Sequence, residues 1–195
     1  MMRSMEIVPA TPDVWPELAA LFEAGGDAKS CWCQFWRRPG VGWGRDDRAI
    51  NREALRAQVD EEPLAPGLVA LREGRAVGWV ALAPREAYPQ LARSRTIPQL
   101  PGTDVWAVTC FVVLRAERGT GVASALLEAA VAFAGGHGAG VLEGYPVDNA
   151  GAHLPPGAAY TGTRRMYERA AFIEIAPTAS HARPDVPRVV MRRVP

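Results

Sequence analysis

The chain has almost no lysine, few cysteines and no long apolar run, and each absence excludes a class of protein. Its 22 basic and 21 acidic residues leave a net charge of +1, so the electrostatic footprint of a nucleic-acid-binding or membrane-surface protein is missing. No apolar run approaches the roughly 20 residues that a membrane-spanning helix needs, and the N-terminal segment lacks the apolar core of a signal peptide. We therefore expect a cytoplasmic protein with no nucleic-acid partner and no membrane partner.

The three cysteines predict neither a disulfide framework nor a zinc site. A small, odd number of cysteines is typical of a reducing compartment. Cys31 and Cys33 flank a tryptophan, but tetrahedral zinc needs a second, suitably spaced pair of ligands. Cys110 and the scattered histidines do not supply such a pair, so we expect no metal.

At 195 residues, the chain has the length of one domain with a sizeable core, and we expect a single domain over residues 1–195. Apolar and alternating runs predict strands at residues 6–9, 67–72, 76–82, 105–113, 140–146, 172–175 and 188–193. Helical periodicity predicts helices at residues 15–24, 46–62, 121–134 and 163–171. This order favours a mixed α/β domain with a central βαβ unit.

The most informative segment is the strand–loop–helix–strand unit over residues 105–146. Its loop, Arg118-Gly-Thr-Gly121-Val-Ala123, combines two glycines and a positive charge at the start of a helix. Backbone N–H groups at a helix N-terminus bind anions, so the loop predicts a phosphorylated cofactor. A P-loop needs a lysine that is missing here, and a dinucleotide fingerprint needs a glycine where Ser124 stands.

The pattern Arg-x-x-Gly-x-Ala between a strand and a helix resembles motif A of the GNAT superfamily, the acyl-CoA-dependent N-acyltransferases. The similarity in element order covers most of the chain and is sharpest over residues 105–147 and 160–175. It implies a single α/β (α+β) domain with a central, mixed, mostly antiparallel sheet flanked by helices and split near the fourth and fifth strands. It also implies direct transfer of an acetyl group from acetyl-CoA to a primary amine of a small-molecule or peptide acceptor, and it is compatible with a homodimer.

The resemblance assigns coenzyme A to this unit. The pyrophosphate is expected on the N–H groups at the start of the helix, and the pantetheine arm on the backbone of the fourth strand. The expected cofactor contacts are Phe111, Val112, Val113, Arg118, Gly119, Thr120, Gly121, Val122, Ala123 and Ser124.

Two residues are the main candidates for catalysis. Tyr167 aligns with a family tyrosine that often lies near the cofactor sulfur, where a phenol can protonate the departing thiolate; a core aromatic is the alternative. Glu143 lies in an apolar strand, where a carboxylate is costly unless it is paired or used. It is either the base that takes the proton of the amine or the partner of an arginine. Asp104, Asp148 and His153 are weaker candidates for the base.

The aromatic segment at residues 31–36 is a candidate wall of the acceptor groove, because the family builds one side of that groove from the region between the first strand and the hairpin. The expected acceptor contacts are Trp32, Cys33, Trp36 and Cys110, with Phe35 and Trp43 beside them. Packing in the core is the alternative for the whole segment.

Two other function classes stay open. A non-catalytic acyl-CoA-binding or sensing domain is the first, because Ala171 stands where the family commonly has glycine and the base is not identified. A nucleotide-phosphate enzyme is the second, although the missing lysine and third glycine disfavour it. The acceptor itself is not specified, since a polyamine, an aminoglycoside, an amino acid or a protein N-terminus all satisfy the sequence pattern.

Overall fold

The computed structural model describes residues 5–24, 26, 28–38 and 45–195. Its strands are β1 (Met5–Pro9), β2 (Gly67–Arg72), β3 (Arg75–Pro84), β4 (Val105–Val113), β5 (Val141–Gly144), β6 (Ile173–Arg183) and β7 (Val186–Arg193). Its α-helices are α1 (Trp15–Glu23), α2 (Ala28–Cys31), α3 (Arg45–Glu61), α4 (Pro89–Ala92), α5 (Val122–Gly136) and α6 (Arg164–Arg169). Within this described part of the chain, no helix is both long and apolar enough to cross a lipid bilayer.

The strands form one seven-stranded sheet in the order β1-β2-β3-β4-β5-β7-β6. Among the described strands, only β4 and β5 form a parallel pair; the other neighbouring pairs are antiparallel. A parallel pair requires a crossover, and α5 supplies it between β4 and β5. The expected mixed, mostly antiparallel sheet with flanking helices is confirmed.

Two apolar cores lie on opposite faces of this sheet. Along β3, Val80 and Leu82 belong to the core beneath α5, whereas Trp79 and Ala81 belong to the core beneath α1. Successive side chains of a strand point to opposite faces, so the apolar run of β3 is buried on both sides. A third cluster, which contains Tyr88, packs near the carboxyl end of β3.

The end of the chain differs from the prediction. Residues 172–175 were expected to form a short strand followed by an irregular turn, but β6 extends to Arg183 and pairs with β7 in a long hairpin. β6 lies at one edge of the sheet, and its side chains alternate only between exposed and partly buried. Its sequence therefore carries little of the hydrophobic alternation that predicts a strand. An edge position also tolerates Pro177, since a proline there sacrifices no ladder hydrogen bond.

The sheet splits between β4 and β5, as the resemblance implies. Residues 105–108 pair with residues 141–144, but β4 continues to Val113 along β3 alone. The register shift against β3 leaves Thr109 as an extra residue at the point of separation, and such a bulge bends a strand. The second half of β4 therefore has an edge that none of the described strands covers.

Candidate active site

The loop between β4 and α5 forms an anion-binding surface. Gly119 and Gly121 have φ angles of +77° and +91°, a left-handed conformation that glycine adopts without strain. Gly121 is the N-cap of α5, so the next N–H groups, those of Val122, Ala123 and Ser124, have no acceptor within the helix. A cavity of about 290 Å³ lies over this loop; we call it the anion cavity.

Most of the expected cofactor contacts line the anion cavity. Those present are Val113, Arg118, Gly119, Gly121, Val122, Ala123 and Ser124. Thr120 is not among them, because its hydroxyl turns back and donates to the carbonyl oxygen of Glu117 at 2.8 Å.

A second arginine, which sequence reasoning missed, also lines the anion cavity. Arg169 lies at the end of α6, and only the packing of α6 beside α5 brings it to the loop. Arg118 anchors itself by donating from Nε to the carbonyl oxygen of Val113 at 3.3 Å. Glu117 also reaches this cavity, but Arg72 lies 2.5 Å from its carboxylate and offsets its charge. The cavity is therefore electropositive.

The uncovered edge of β4 exposes alternate backbone groups. Leu114 donates its N–H to Val77 of β3, whereas Phe111 donates its N–H away from β3, to the carbonyl oxygen of Tyr160 at 2.6 Å. Because the backbone groups of successive residues point to opposite edges of a strand, Phe111 and Val113 face the uncovered edge. The backbone of Val112 faces β3 instead, so only its side chain reaches the open side.

A larger cavity of about 560 Å³ continues from this edge; we call it the apolar cavity. β4 joins the two, since Val113 lines the anion cavity and its neighbours Val112, Phe111 and Cys110 line the apolar cavity. The other walls come from α2, the segment after it and the loop at residues 145–162. The expected acceptor contacts Cys33, Trp36 and Cys110 are brought together here. Among the lining residues that the structure describes, none carries a carboxylate.

Trp32, the fourth expected acceptor contact, lies in the core and not on the apolar cavity. It is fully buried, and its ring stacks on Phe22 with the centroids 4.9 Å apart. Trp32 and Cys33 both have left-handed φ angles, +48° and +54°, so the chain turns sharply and sends the two side chains to different sides. Trp43 is outside the described residues.

Burial keeps two of the thiols on the apolar cavity neutral. All three cysteines, Cys31, Cys33 and Cys110, line it. Burial raises the pKa of Cys31 to about 12, and burial followed by the neighbouring Cys110 raises the pKa of Cys33 well above its ordinary value. The thiolate is the form that attacks electrophiles or binds metals. Because Cys31 and Cys33 stay in the thiol form, they form part of the apolar wall of the cavity. Within the described ranges no group of metal-binding side chains is assembled.

Tyr167 is fully buried, and its hydroxyl has no hydrogen-bond partner among the described residues. Its ring lies between two glycines: a Cβ atom at Gly162 would come within 2.9 Å of the ring, and one at Gly144 would overlap it. Burial raises the pKa of Tyr167, and the nearby Cys110 raises it further. A buried polar atom without a partner is uncommon. Tyr167 lines neither cavity, but its ring packs edge-to-face against Phe111 of the apolar cavity, with the centroids 6.5 Å apart.

Glu143 forms a buried ion pair. Its Oε2 accepts from Arg192, with Nη2 at 2.6 Å and Nε at 2.7 Å, and its Oε1 accepts from the Tyr145 hydroxyl at 2.6 Å. Arg85 lies 3.7 Å away. Of the two interpretations of Glu143, the pairing with an arginine is the one observed, and Glu143 lines neither cavity.

The weaker candidates for a base also lie off the two cavities. The carboxylate of Asp148 pairs with Arg164 at 2.8 Å. Asp104 and His153 are exposed. The arrangement therefore offers an anion site, an uncovered strand edge, a buried phenol and the apolar cavity. Among the described residues, no carboxylate or imidazole lines that cavity.

The comparisons with known proteins agree with this arrangement. The model of the acetyltransferase (GNAT) family matches residues 29–154, while no curated protein matches the chain. A Corynebacterium glutamicum structure described as histone acetyltransferase HPA2 and related acetyltransferase has a TM-score of 0.61 at 20% identity, covering 98% of this chain and 97% of that chain. A GCN5-related N-acetyltransferase from Kribbella flavida has a TM-score of 0.59 at 19% identity, covering 98% of each chain. An N-acetyltransferase from Staphylococcus aureus has a TM-score of 0.55 at 13% identity, again covering 98% of each.

At these identities the structures show a shared fold, whereas the family model establishes the family because it spans more than half of the chain. The chain belongs to the GNAT acetyltransferase family and is an acyltransferase.

Proposed function

We propose that this protein transfers an acetyl group from acetyl-CoA to a primary amine by direct attack of the amine on the thioester. The observation that carries the proposal is the course of β4, which runs from the anion cavity to the apolar cavity along an uncovered edge. A ligand with an anionic part, a peptide-like arm and a reactive end fits that course in this order. Acetyl-CoA supplies these three parts and an activated acetyl group.

The loop residues hold the anionic part. The N–H groups after Gly121 lie at the positive end of a 15-residue helix, where backbone amides and the helix dipole favour phosphate. Arg118 and Arg169 add side-chain charge on the same cavity. A Cβ atom at Gly119 or Gly121 would meet open space, so steric crowding does not explain these glycines. They instead allow the left-handed backbone conformation that exposes the amides.

Phe111 polarises the carbonyl that is attacked. Its N–H points to the uncovered edge, and a backbone donor aimed at a developing oxyanion contributes substantially to acyl transfer. In this structure the carbonyl of Tyr160 accepts that hydrogen bond, so Tyr160 must exchange places with the substrate carbonyl. Val113 presents the next backbone groups on the same edge, for the peptide-like arm.

Tyr167 assists the leaving sulfur as a donor. Its pKa is raised by burial, so the phenol keeps its proton throughout the physiological range and does not act as the base. The phenol keeps its proton and donates a hydrogen bond that stabilises the thiolate as the carbon–sulfur bond breaks; the thiolate then takes its proton from water.

The apolar cavity itself favours the reactive form of the amine. An amine has a pKa of roughly 10 in water, but desolvation disfavours its charged form and lowers that value. No carboxylate stabilises the ammonium from the described cavity wall. Since no described residue of the wall is placed to act as the base, the path proposed for the proton is through water.

The rival class, a non-catalytic acyl-CoA sensor, rested partly on Ala171. That residue has a φ angle of +57°, the left-handed conformation that glycine adopts readily. The alanine therefore keeps the backbone path that a glycine would give, and the substitution does not argue against catalysis. The cytoplasmic location and the homodimer stay predictions.

The test is the release of free thiol from acetyl-CoA with a panel of amines, comparing Gly121→Asp with Gly138→Asp. Both glycines have left-handed φ angles and open space at Cβ, so both variants carry similar backbone strain. Gly138 lies just beyond the opposite end of α5. We expect Gly121→Asp to lose thiol release and Gly138→Asp to retain it. Equal loss in both variants, or release in neither the wild type nor the variants, contradicts the proposal.

A further inference from the structure

Arg188 of β7 is a buried cation for which the described residues provide no anionic partner. The residue is 6% exposed, its Nε has no hydrogen-bond partner, and no carboxylate of the described chain forms an ion pair with it. Burial of an uncompensated charge carries a large desolvation penalty. A cation kept in this position is therefore expected to meet an anion that the chain does not provide.

Two other arginines whose side chains are largely buried do have such partners. The Arg37 side chain, 7% exposed, lies 3.5 Å from Glu62, and that of Arg192, 14% exposed, lies 2.6 Å from Glu143. The guanidinium of Arg188 instead lies over the ring of Tyr160, 5.2 Å from its centroid. A cation–π contact orients a guanidinium but leaves its N–H donors unused.

Tyr160 connects Arg188 to the apolar cavity, because the same tyrosine lines that cavity. Along β7, Arg188 and Val190 share one face of the sheet, since side chains alternate along a strand. Val190 belongs to the cluster against which Trp36 packs, and Trp36 lines the apolar cavity. Arg188 does not itself line the apolar cavity but lies behind Tyr160, on the same side of the sheet as that cavity. Contact between the guanidinium and an acceptor requires that Tyr160 move, as the proposed binding of the substrate carbonyl to Phe111 also requires.

We propose that Arg188 binds a carboxylate of the acceptor, so that the acceptor is an α-amino acid with an apolar or aromatic side chain. This inference rests on the proposed acetyl transfer and names its substrate class. The guanidinium supplies a fork of donors that matches a carboxylate. The aromatic and thiol walls, among them Phe35, Trp36 and Cys33, suit an apolar side chain. The lack of a carboxylate on the described wall disfavours polyamines and aminoglycosides, which carry further positive charges.

The test uses three probes that differ by one group: L-phenylalanine, phenethylamine without the carboxylate, and 3-phenylpropanoate without the amine. Thiol release from acetyl-CoA is measured with the two amines, and binding of 3-phenylpropanoate is measured by calorimetry in the presence of CoA. The variants are Arg188→Met and Arg188→Lys, with Arg183→Met as the matched control, because Arg183 is exposed at the end of β6 in the same hairpin.

We expect L-phenylalanine to be the better acceptor in the wild type. The KM for L-phenylalanine should rise at least about 30-fold in Arg188→Met, which is the effect expected when one partner of a buried charge pair is removed. Arg188→Lys should recover part of the loss, and Arg183→Met should match the wild type. Binding of 3-phenylpropanoate should disappear in Arg188→Met only. The variant should fold, since it removes an uncompensated charge, and its thermal melt verifies this.

The failure of this inference is distinguishable from that of the proposed function. If phenethylamine is acetylated as well as L-phenylalanine and Arg188→Met changes neither, the inference is overturned while acetyl transfer stands. If 3-phenylpropanoate binds through Arg188 but no amine releases thiol, the carboxylate site stands and the proposed transfer fails. If neither carboxylate probe binds or reacts in an Arg188-dependent way, the inference is overturned.

Discussion

Replacing Tyr167 with phenylalanine removes one oxygen atom from a fully buried position. That oxygen has no hydrogen-bond partner among the described residues, and the ring around it is fixed by Gly144, Gly162 and an edge-to-face contact with Phe172 at 4.9 Å. The substitution leaves the ring and its packing in place. It therefore separates a catalytic role of the hydroxyl from a structural one.

We expect Tyr167→Phe to raise the stability of the protein and to lower its turnover. A buried hydroxyl without a partner costs about 1–3 kcal/mol of desolvation, so Tyr167→Phe should not lower the free energy of unfolding and should raise it by roughly 1 kcal/mol. For a chain of 195 residues this corresponds to an increase in Tm of about 2–4 °C. A hydrogen bond to a charged group contributes about 1.5–3 kcal/mol, so loss of the donor to the departing thiolate should lower kcat about 10- to 150-fold.

The assay combines thermal melting with thiol release at saturating acetyl-CoA. Tyr88→Phe is the matched control, because the Tyr88 hydroxyl is also fully buried and forms no hydrogen bond among the described residues. Neither tyrosine lines a cavity, but Tyr167 packs edge-to-face against Phe111 of β4, whereas Tyr88 belongs to the separate cluster near the end of β3. Both variants should melt at or above the wild-type temperature, but only Tyr167→Phe should lose turnover. A Tyr167→Phe enzyme with unchanged kcat at every pH, or one that is clearly less stable, would refute the reasoning.

Four further outcomes follow from the same contacts. Arg169→Glu should weaken acetyl-CoA binding about as much as Arg118→Glu, as measured by calorimetry; an unchanged affinity would remove Arg169 from the anion site. Glu143→Ala should lower the free energy of unfolding by about 3–5 kcal/mol, because Arg192 loses its buried partner; an unchanged melt would contradict the ion pair. Gly162→Ala should destabilise the protein through overlap with Tyr167, which denaturant unfolding would detect. The free energy of unfolding should fall as pH rises above about 9, because burial raises the pKa of all four tyrosines and of two cysteines in the folded protein. At such a pH the unfolded chain releases protons that the folded chain retains, which lowers the free energy of unfolding by up to about 1.4 kcal/mol per pH unit for each group. A free energy of unfolding that stays constant up to pH 11 would contradict this.

Features that depend on local sequence were predictable. The order of the main strands and helices follows from short-range periodicity, and the left-handed glycines at 119 and 121 follow from a loop that must expose amides at a helix start. The strand before and the helix after that loop fix where the anion cavity lies. The predicted strand, loop and helix agree with the structure here, because each requirement is satisfied by neighbours in the chain.

Features that depend on distant contacts were not predictable from the pattern. Arg169 reaches the anion cavity only through the packing of α6 beside α5, and Arg188 reaches the acceptor side only because β7 pairs beside β5. Trp32 and Cys33 are adjacent, yet a left-handed turn sends one into the core and the other to the cavity. The environment of Glu143 depends on Arg192, which lies 49 positions away.

Calorimetric titration of the wild-type protein with acetyl-CoA tests the central claim most directly, because every step proposed for β4, Tyr167 and the apolar cavity requires that ligand on the loop at Gly121. The account predicts saturable binding at one site per chain, weakened strongly by Gly121→Asp and unaffected by Gly138→Asp. The absence of binding, or equal affinity in the wild type and Gly121→Asp, would contradict it.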